Sequence, residues 1–129
     1  MTPTGYVVFA HGSPIESANE SVRAVAADMA HAGGSRLGGR VLAAFLEGGS
    51  PSLPDAIEDL AASGVGRIIV VPYFLTLGLH LQRDLPKLVD AARKAHPGLE
   101  IEVREPLDGH PSMAEVLLDR ALEGAHETR

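Results

Sequence analysis

An α/β protein with an open, mostly parallel four-stranded sheet and helices on both faces is the fold that this sequence predicts. Three observations carry that reading. Four short apolar runs, at 6–10, 41–46, 67–75 and 99–103, have the length and composition of strands. Amphipathic stretches with helical spacing alternate with them, which is the pattern of βαβ units. The 129 residues suit one domain, read here over 1–129, and suffice to bury a core.

Each element has its own justification. Tyr6 to Ala10 is a compact apolar strand. From Ser17 to about Ala32, Val22, Val25, Ala26 and Met29 recur at helical spacing, and Gly33-Gly34 ends the helix. The second strand, Val41 to Leu46, is followed by Gly48-Gly49-Ser50-Pro51, where Ser50 or Ser52 can cap a helix and Pro51 suits a first turn. That helix presents Leu53, Ala56, Ile57 and Leu60 as its stripe and stops at Gly64. Arg67 to Leu75 is β-branched and nearly continuous in its apolar character, as a strand buried on both faces must be. Leu81 to Ala95 is a third helix, with Pro86 in its early turns making an irregular start expected. Leu99 to Val103 alternates, so one face is wetter and an edge position is expected. Pro111 to about Ala121 is a last helix with Met113, Val116, Leu117 and Ala121 at helical spacing, and 123–129 reads as a frayed end. Right-handed crossovers leave few topologies. The expected strand order is 2-1-3-4, the flavodoxin-like arrangement, with its switch point between strands 1 and 3.

Composition narrows the function. A formal net charge of −6 gives no electrostatic support to nucleic-acid binding. The absence of cysteine excludes disulfides, thiolate zinc sites, iron–sulfur ligation and a cysteine nucleophile. No apolar run approaches the ~20 residues that span a bilayer, and no signal peptide is apparent, so a cytoplasmic protein is expected.

Three metal-ligand residue types follow strand-like runs: His11 after the first, Glu47 after the second and His80 beyond the third. In an open parallel sheet the carboxyl ends of the strands share one edge, where ligands bind. Two imidazoles and a carboxylate on that edge point to a divalent transition-metal site. Each residue alone has a plainer explanation. His11-Gly12-Ser13-Pro14 also reads as a βα turn, Glu47 as a solvated strand-end carboxylate, and His80 as a polar helix start. Ser13 lacks the G-x-S-x-G elbow of a nucleophile, and no charge beside His11 would hold a phosphate. His31, His96 and His126 read as surface histidines, and His110 before Pro111 as helix-start geometry or a rim contact. Pro72, Tyr73 and Phe74 offer a flat apolar wall suited to a planar ligand.

Taken together and in order, these pieces resemble a known family. They are His11-Gly-Ser13 with Ala18-Asn19 downstream, Phe45-Leu-Glu47, Pro51-Ser-Leu53, Val71-Pro-Tyr-Phe-Leu75, Gly78-Leu-His80, Asp84-Leu-Pro86, Pro106-Leu107 and Gly109-His-Pro111. From about Tyr6 to Arg120 the chain is similar to the short sirohydrochlorin chelatases, the cobalt or iron chelatases of corrin and sirohaem synthesis. The resemblance implies metal-binding histidines at His11 and His80 and an acidic partner at Glu47. It implies insertion of Co²⁺ or Fe²⁺ into the tetrapyrrole sirohydrochlorin, without an organic cofactor, by a homodimer. Nitrogen and oxygen ligands do not separate these ions from Ni²⁺. Ser13, Tyr73, Phe74 and Arg83 are the expected substrate contacts. Two residues depart from the pattern: Pro14 stands where arginine is expected and Leu79 where a basic residue is frequent. Both thin the positive charge that would meet a polycarboxylate, leaving Arg83, Lys87 and Arg104 as its sources.

The chemistry agrees with the resemblance. Insertion removes two pyrrole protons and strips water from the ion. Imidazole serves as ligand or proton acceptor, and a carboxylate offsets the ion's charge. A non-catalytic carrier or sensor of metal or tetrapyrrole is the main rival. A phosphate or nucleotide binder is weaker, since G-x-G-x-x-G and a P-loop are both missing.

Overall fold

A computed structural model describes residues 3–124. Its strands are β1 (Thr4–Ala10), β2 (Val41–Phe45), β3 (Arg67–Pro72) and β4 (Glu100–Val103). They form one sheet in the order β2-β1-β3-β4, every pairing parallel, as the crossovers predicted. The helices are α1 (Glu16–Gly33), α2 (Leu53–Ala62), α3 (Leu79–Ala95) and α4 (Met113–Leu122).

Register decides what each face buries. Val7 lies opposite Leu42 and Val70, and Phe9 opposite Ala44 and Pro72. Because side chains alternate along a strand, Val7, Phe9, Ile68, Val70 and Ile101 share one face, where α2 and α3 cover them with Leu53, Ile57, Leu60, Leu81, Leu85 and Val89. Val8, Ala10, Ala43 and Phe45 share the other, packed under Ala26, Val22 and Met29 of α1. β4 alternates as expected: Ile101 is buried between Glu100 and Glu102, which pair with Arg67.

Several boundaries differ from the sequence reading. β3 stops at Pro72 rather than Leu75. Tyr73 still donates its N–H to Phe9 (2.7 Å), but Phe74 and Leu75 accept hydrogen bonds from Leu107 and Asp108 in the segment after β4. Pro51 precedes α2; Ser52 caps it, accepting from the Asp55 amide at 3.2 Å, with Pro54 in its first turn. α3 begins at Leu79, two residues early, and runs continuously through Pro86, which places His80 inside its first turn. α4 starts at Met113 and buries none of its residues. The expected surface histidine His126 and all but the first two residues of the frayed 123–129 end lie outside the described residues.

Candidate functional site

The carboxyl ends of β1, β2 and β3 open on one edge, and the chain changes direction there between β1 and β3. His11 is the first residue after β1. The β1–β2 ladder continues past the strands: Leu46 donates to Ala10 and Glu47 to His11, each at 3.0 Å. This extension brings His11 Nε2 within 3.7 Å of Glu47 Oε1. Their side chains are 57% and 71% exposed, so as an ion pair they contribute only about 0–1 kcal/mol to stability. A pair with so little structural value is free to serve a ligand.

The two loops holding this pair are locked together. Asn19, on the first turns of α1, is 1% exposed, and its side chain spans them. Its Oδ1 accepts from the Ser13 amide (2.9 Å), while Nδ2 donates to the carbonyls of Ser13 (2.8 Å) and Gly48 (2.9 Å). Buried polar groups persist when they are bonded in this way. Gly12 has φ +91, and a Cβ there would sit 1.6 Å from the Glu47 carbonyl oxygen, so only glycine lets the loops approach. Outside this clamp, Arg23 bonds Glu16 (2.5 Å), Glu20 and the Ser50 carbonyl (2.9 Å), with its guanidinium 5.3 Å from the Phe45 ring. Hydrogen bonding to Arg23, and then to Asn19, holds the Glu16 carboxyl below its ordinary value.

The other expected site residues are placed as follows. Ser13 Oγ accepts from the Ile15 amide (3.0 Å), a turn contact. Phe74 is half-buried against Phe9, ring centroids 5.8 Å apart and tilted by 52°, while Tyr73 remains exposed. His80 and Arg83 are exposed on α3. Among the described residues, no three His, Cys, Asp or Glu side chains stand grouped to hold an ion. His11 and Glu47 are brought together; His80 follows the 73–78 loop on the first turn of α3, and among the described residues no contact joins it to that pair. The sequence reading quoted Asn19 only as part of a motif. Its role as a clamp lay hidden because it bridges residues 6 and 29 positions away. A cavity of about 680 Å³ lies at the opposite, amino-terminal edge of the sheet, beside Arg36, Leu37, Arg67 and Glu100. Arg67 there is engaged by Glu100 and Glu102.

An open parallel sheet with helices on both faces and a strand order that reverses beside β1 defines the doubly wound class of α/β proteins, and here an imidazole and a carboxylate stand side by side on its carboxyl edge. Within that class the chain belongs to the CbiX family, whose sequence model matches residues 5–124. Its relatives include a sirohydrochlorin cobaltochelatase of Methanococcoides burtonii, 28% identical over 127 residues, covering 92% of this chain and 95% of that one. Another, of Methanothermobacter thermautotrophicus, is 36% identical over 95 residues, which span 62% of this chain and 66% of the relative. Among solved structures, a CbiX protein of cobalamin (vitamin B12) biosynthesis from Marinobacter aquaeolei superposes with a TM-score of 0.82 at 26% identity, covering 97% of this chain and 99% of that one. The sirohydrochlorin chelatase SirB of Bacillus subtilis, solved with cobalt, gives 0.78 at 22% identity over 95% of this chain and 51% of that one, a likeness of fold.

Proposed function

We propose that this protein is a metal chelatase that inserts Co²⁺ or Fe²⁺ into sirohydrochlorin in tetrapyrrole biosynthesis. The observation that carries the reading is the His11–Glu47 pair, held 3.7 Å apart at the sheet edge of a chain that belongs to the CbiX family. The metal is substrate, and the reaction exchanges it for two pyrrole protons. His11 Nε2 offers a lone pair to the incoming ion, and the Glu47 carboxylate offsets its charge or takes a proton. His80, on the first turn of α3 at the same edge, supplies the second imidazole as the ring seats. Ser13, Tyr73, Phe74 and Arg83 serve as substrate contacts in this reading. Arg83 and Lys87, both on α3, are the cations that meet the ring's carboxylates in this reading.

In this reading the protein works in the cytoplasm as a homodimer, with no organic cofactor and apart from membranes and nucleic acid. The net charge of −6 disfavours nucleic acid, and among the described residues no helix is long and apolar enough to cross a membrane. The His11–Glu47 pair lies open, and Tyr73, Leu75 and Leu79 nearby are exposed, so a second wall is needed to enclose a ring as broad as a tetrapyrrole.

The test is an absorbance assay with sirohydrochlorin and a panel of Co²⁺, Fe²⁺ and Ni²⁺. Insertion well above the uncatalysed rate is expected with Co²⁺ or Fe²⁺. Binding of ring and ion without acceleration would make the protein a carrier instead.

A further inference from the structure

The carboxyl edge of the sheet has a contributor beyond the strand ends already described. After β4 the chain turns back toward the end of β3. Leu107 donates to the Phe74 carbonyl (2.9 Å) and Asp108 to that of Leu75 (2.8 Å). Leu107 to His110 then form a tight turn, closed by the His110 amide on the Leu107 carbonyl (3.1 Å). Gly109 holds φ +85 in that turn, a conformation that other side chains resist. The turn brings His110 back to the Leu107–Phe74 contact, at the margin of the crevice. Strands lie ~4.8 Å apart, so the β3 and β4 ends are within about 10 Å of His11 across the sheet. The carboxylates on the rim of a tetrapyrrole stand off from its centre by a distance of that order.

The two ring nitrogens of His110 are placed differently. Nδ1 accepts from the Ser112 amide at 3.0 Å, which is the helix-start geometry expected of a histidine before Pro111. A neutral imidazole has one acceptor nitrogen and one donor, so Nε2 carries the proton. The residue is exposed, and among the described residues nothing accepts from Nε2. This tautomer has no lone pair at Nε2 for a metal ion or a pyrrole proton. It has an N–H. The acceptor that a planar polycarboxylate carries on its margin is a carboxylate oxygen. Cations that could meet that oxygen are thinned in this chain. Pro14 and Leu79 stand where basic residues are expected, and the Arg104 guanidinium is drawn to Glu102 (3.7 Å).

We infer that His110 is a substrate-binding residue: its Nε2–H donates to a rim carboxylate of the tetrapyrrole and fixes how the ring is turned above His11 and Glu47. This inference rests on the chelatase reading above and adds to it a contact that selects the ring by its carboxylates.

Asparagine and glutamine separate the two nitrogens. His110→Asn sets an oxygen near the place of Nδ1 and keeps the Ser112 contact, but has nothing at Nε2. His110→Gln reaches the Nε2 position with an amide N–H and gives up Ser112. Titration of metal-free sirohydrochlorin, followed by its absorbance, should show the Asn variant binding about tenfold more weakly than wild type, the scale of a hydrogen bond to a charged group, with the Gln variant between them. In the insertion assay the Asn loss should fall on the KM for the ring rather than on that for the metal. The gap should narrow with the esterified ring, whose oxygens carry no charge. An Asn variant that binds as wild type does, with Gln the weaker of the two, would show that only the local turn needs His110 and overturns the inference. An undiminished gap with the esterified ring overturns it too, because the acceptor is then not a carboxylate. The expected ranking of ring binding without any metal insertion supports the inference while overturning the chelatase reading. A wild type that binds no ring overturns both.

Discussion

Asn19 concentrates more of the site's geometry than any of the three residues expected to touch metal. It is buried, and all three of its short hydrogen bonds go to the backbone of the loops that carry His11 and Glu47. Asn19→Ala leaves those backbone groups short of partners, at a cost of about 1–3 kcal/mol. We expect urea unfolding to show that loss, and the insertion rate to fall with it. Asn19→Asp keeps an acceptor for the Ser13 amide but sets a carboxylate against two carbonyls, so it should rescue neither. The exposed residues His11, Glu47 and His80 should behave in the opposite way. His11→Ala, Glu47→Gln and His80→Ala should each slow insertion by at least about tenfold, or ~1.4 kcal/mol in the barrier, with unfolding midpoints little changed. Wild-type turnover in folded variants would remove the residue concerned from the site. His11 and Glu47 were legible in the sequence because each directly follows a strand, and parallel pairing of neighbouring strands sets their ends side by side. The clamp was not legible, because hydrogen bonds between distant loops leave no period in a sequence.

Elements were read well where a repeating apolar face met a buried surface. α2 shows this: Leu53, Ala56, Ile57 and Leu60, picked out by spacing, are all buried. Ends were read less well where tertiary bonds decide them. The apolar run 67–75 looked like one strand, yet Phe74 and Leu75 leave the ladder because the segment after β4 bonds them. The early start of α3 follows from Gly78, whose extended backbone serves as the cap three residues before Leu81, the first buried position of the stripe. At the start of α1 the Glu16–Arg23 contact makes a prediction about pH. The Glu16 carboxyl is held below its ordinary value, chiefly by Arg23, so the folded state binds its proton less readily than the unfolded chain does. Its stabilising effect is complete above the unfolded value of about 4.3 and is lost as pH falls through the lower folded value. Thermal unfolding of wild type against Glu16→Gln should therefore show a gap at pH 6 that closes in stronger acid. A gap independent of pH would refute the ionic account. Both groups are on the surface, so salt should narrow the gap as well.

At the scale of the molecule, the strand order follows from connection rules. β1 sits between β2 and β3 because the chain steps outward one way and then the other, with helices on both faces. That much is contained in the alternation of elements. The position of α4 is not contained there. Periodicity announces an apolar face and is silent on whether the chain's own sheet receives it. Here the sheet face toward the β4 edge that α1 leaves uncovered bears Arg67, Glu100, Glu102 and Arg104, joined by ion pairs. A charged surface of that kind is a poor bed for Val116, Leu117 and Leu122.

The extension of the β1–β2 ladder beyond its strands has a consequence for amide hydrogen exchange. Exchange in a surface loop is ordinarily fast, because opening such a segment costs little free energy. The amides of Ser13, Leu46 and Glu47 lie in surface loops, yet each is bonded, to Asn19, Ala10 and His11 respectively. Deuterium should therefore enter these three positions slowly, on the timescale of the strands they prolong. It should enter quickly at Ser13 once Asn19 is replaced by alanine. The floor beneath the incoming metal would then be as stiff as the core, and any motion needed to admit a ring would fall to the 73–78 loop and the first turn of α3.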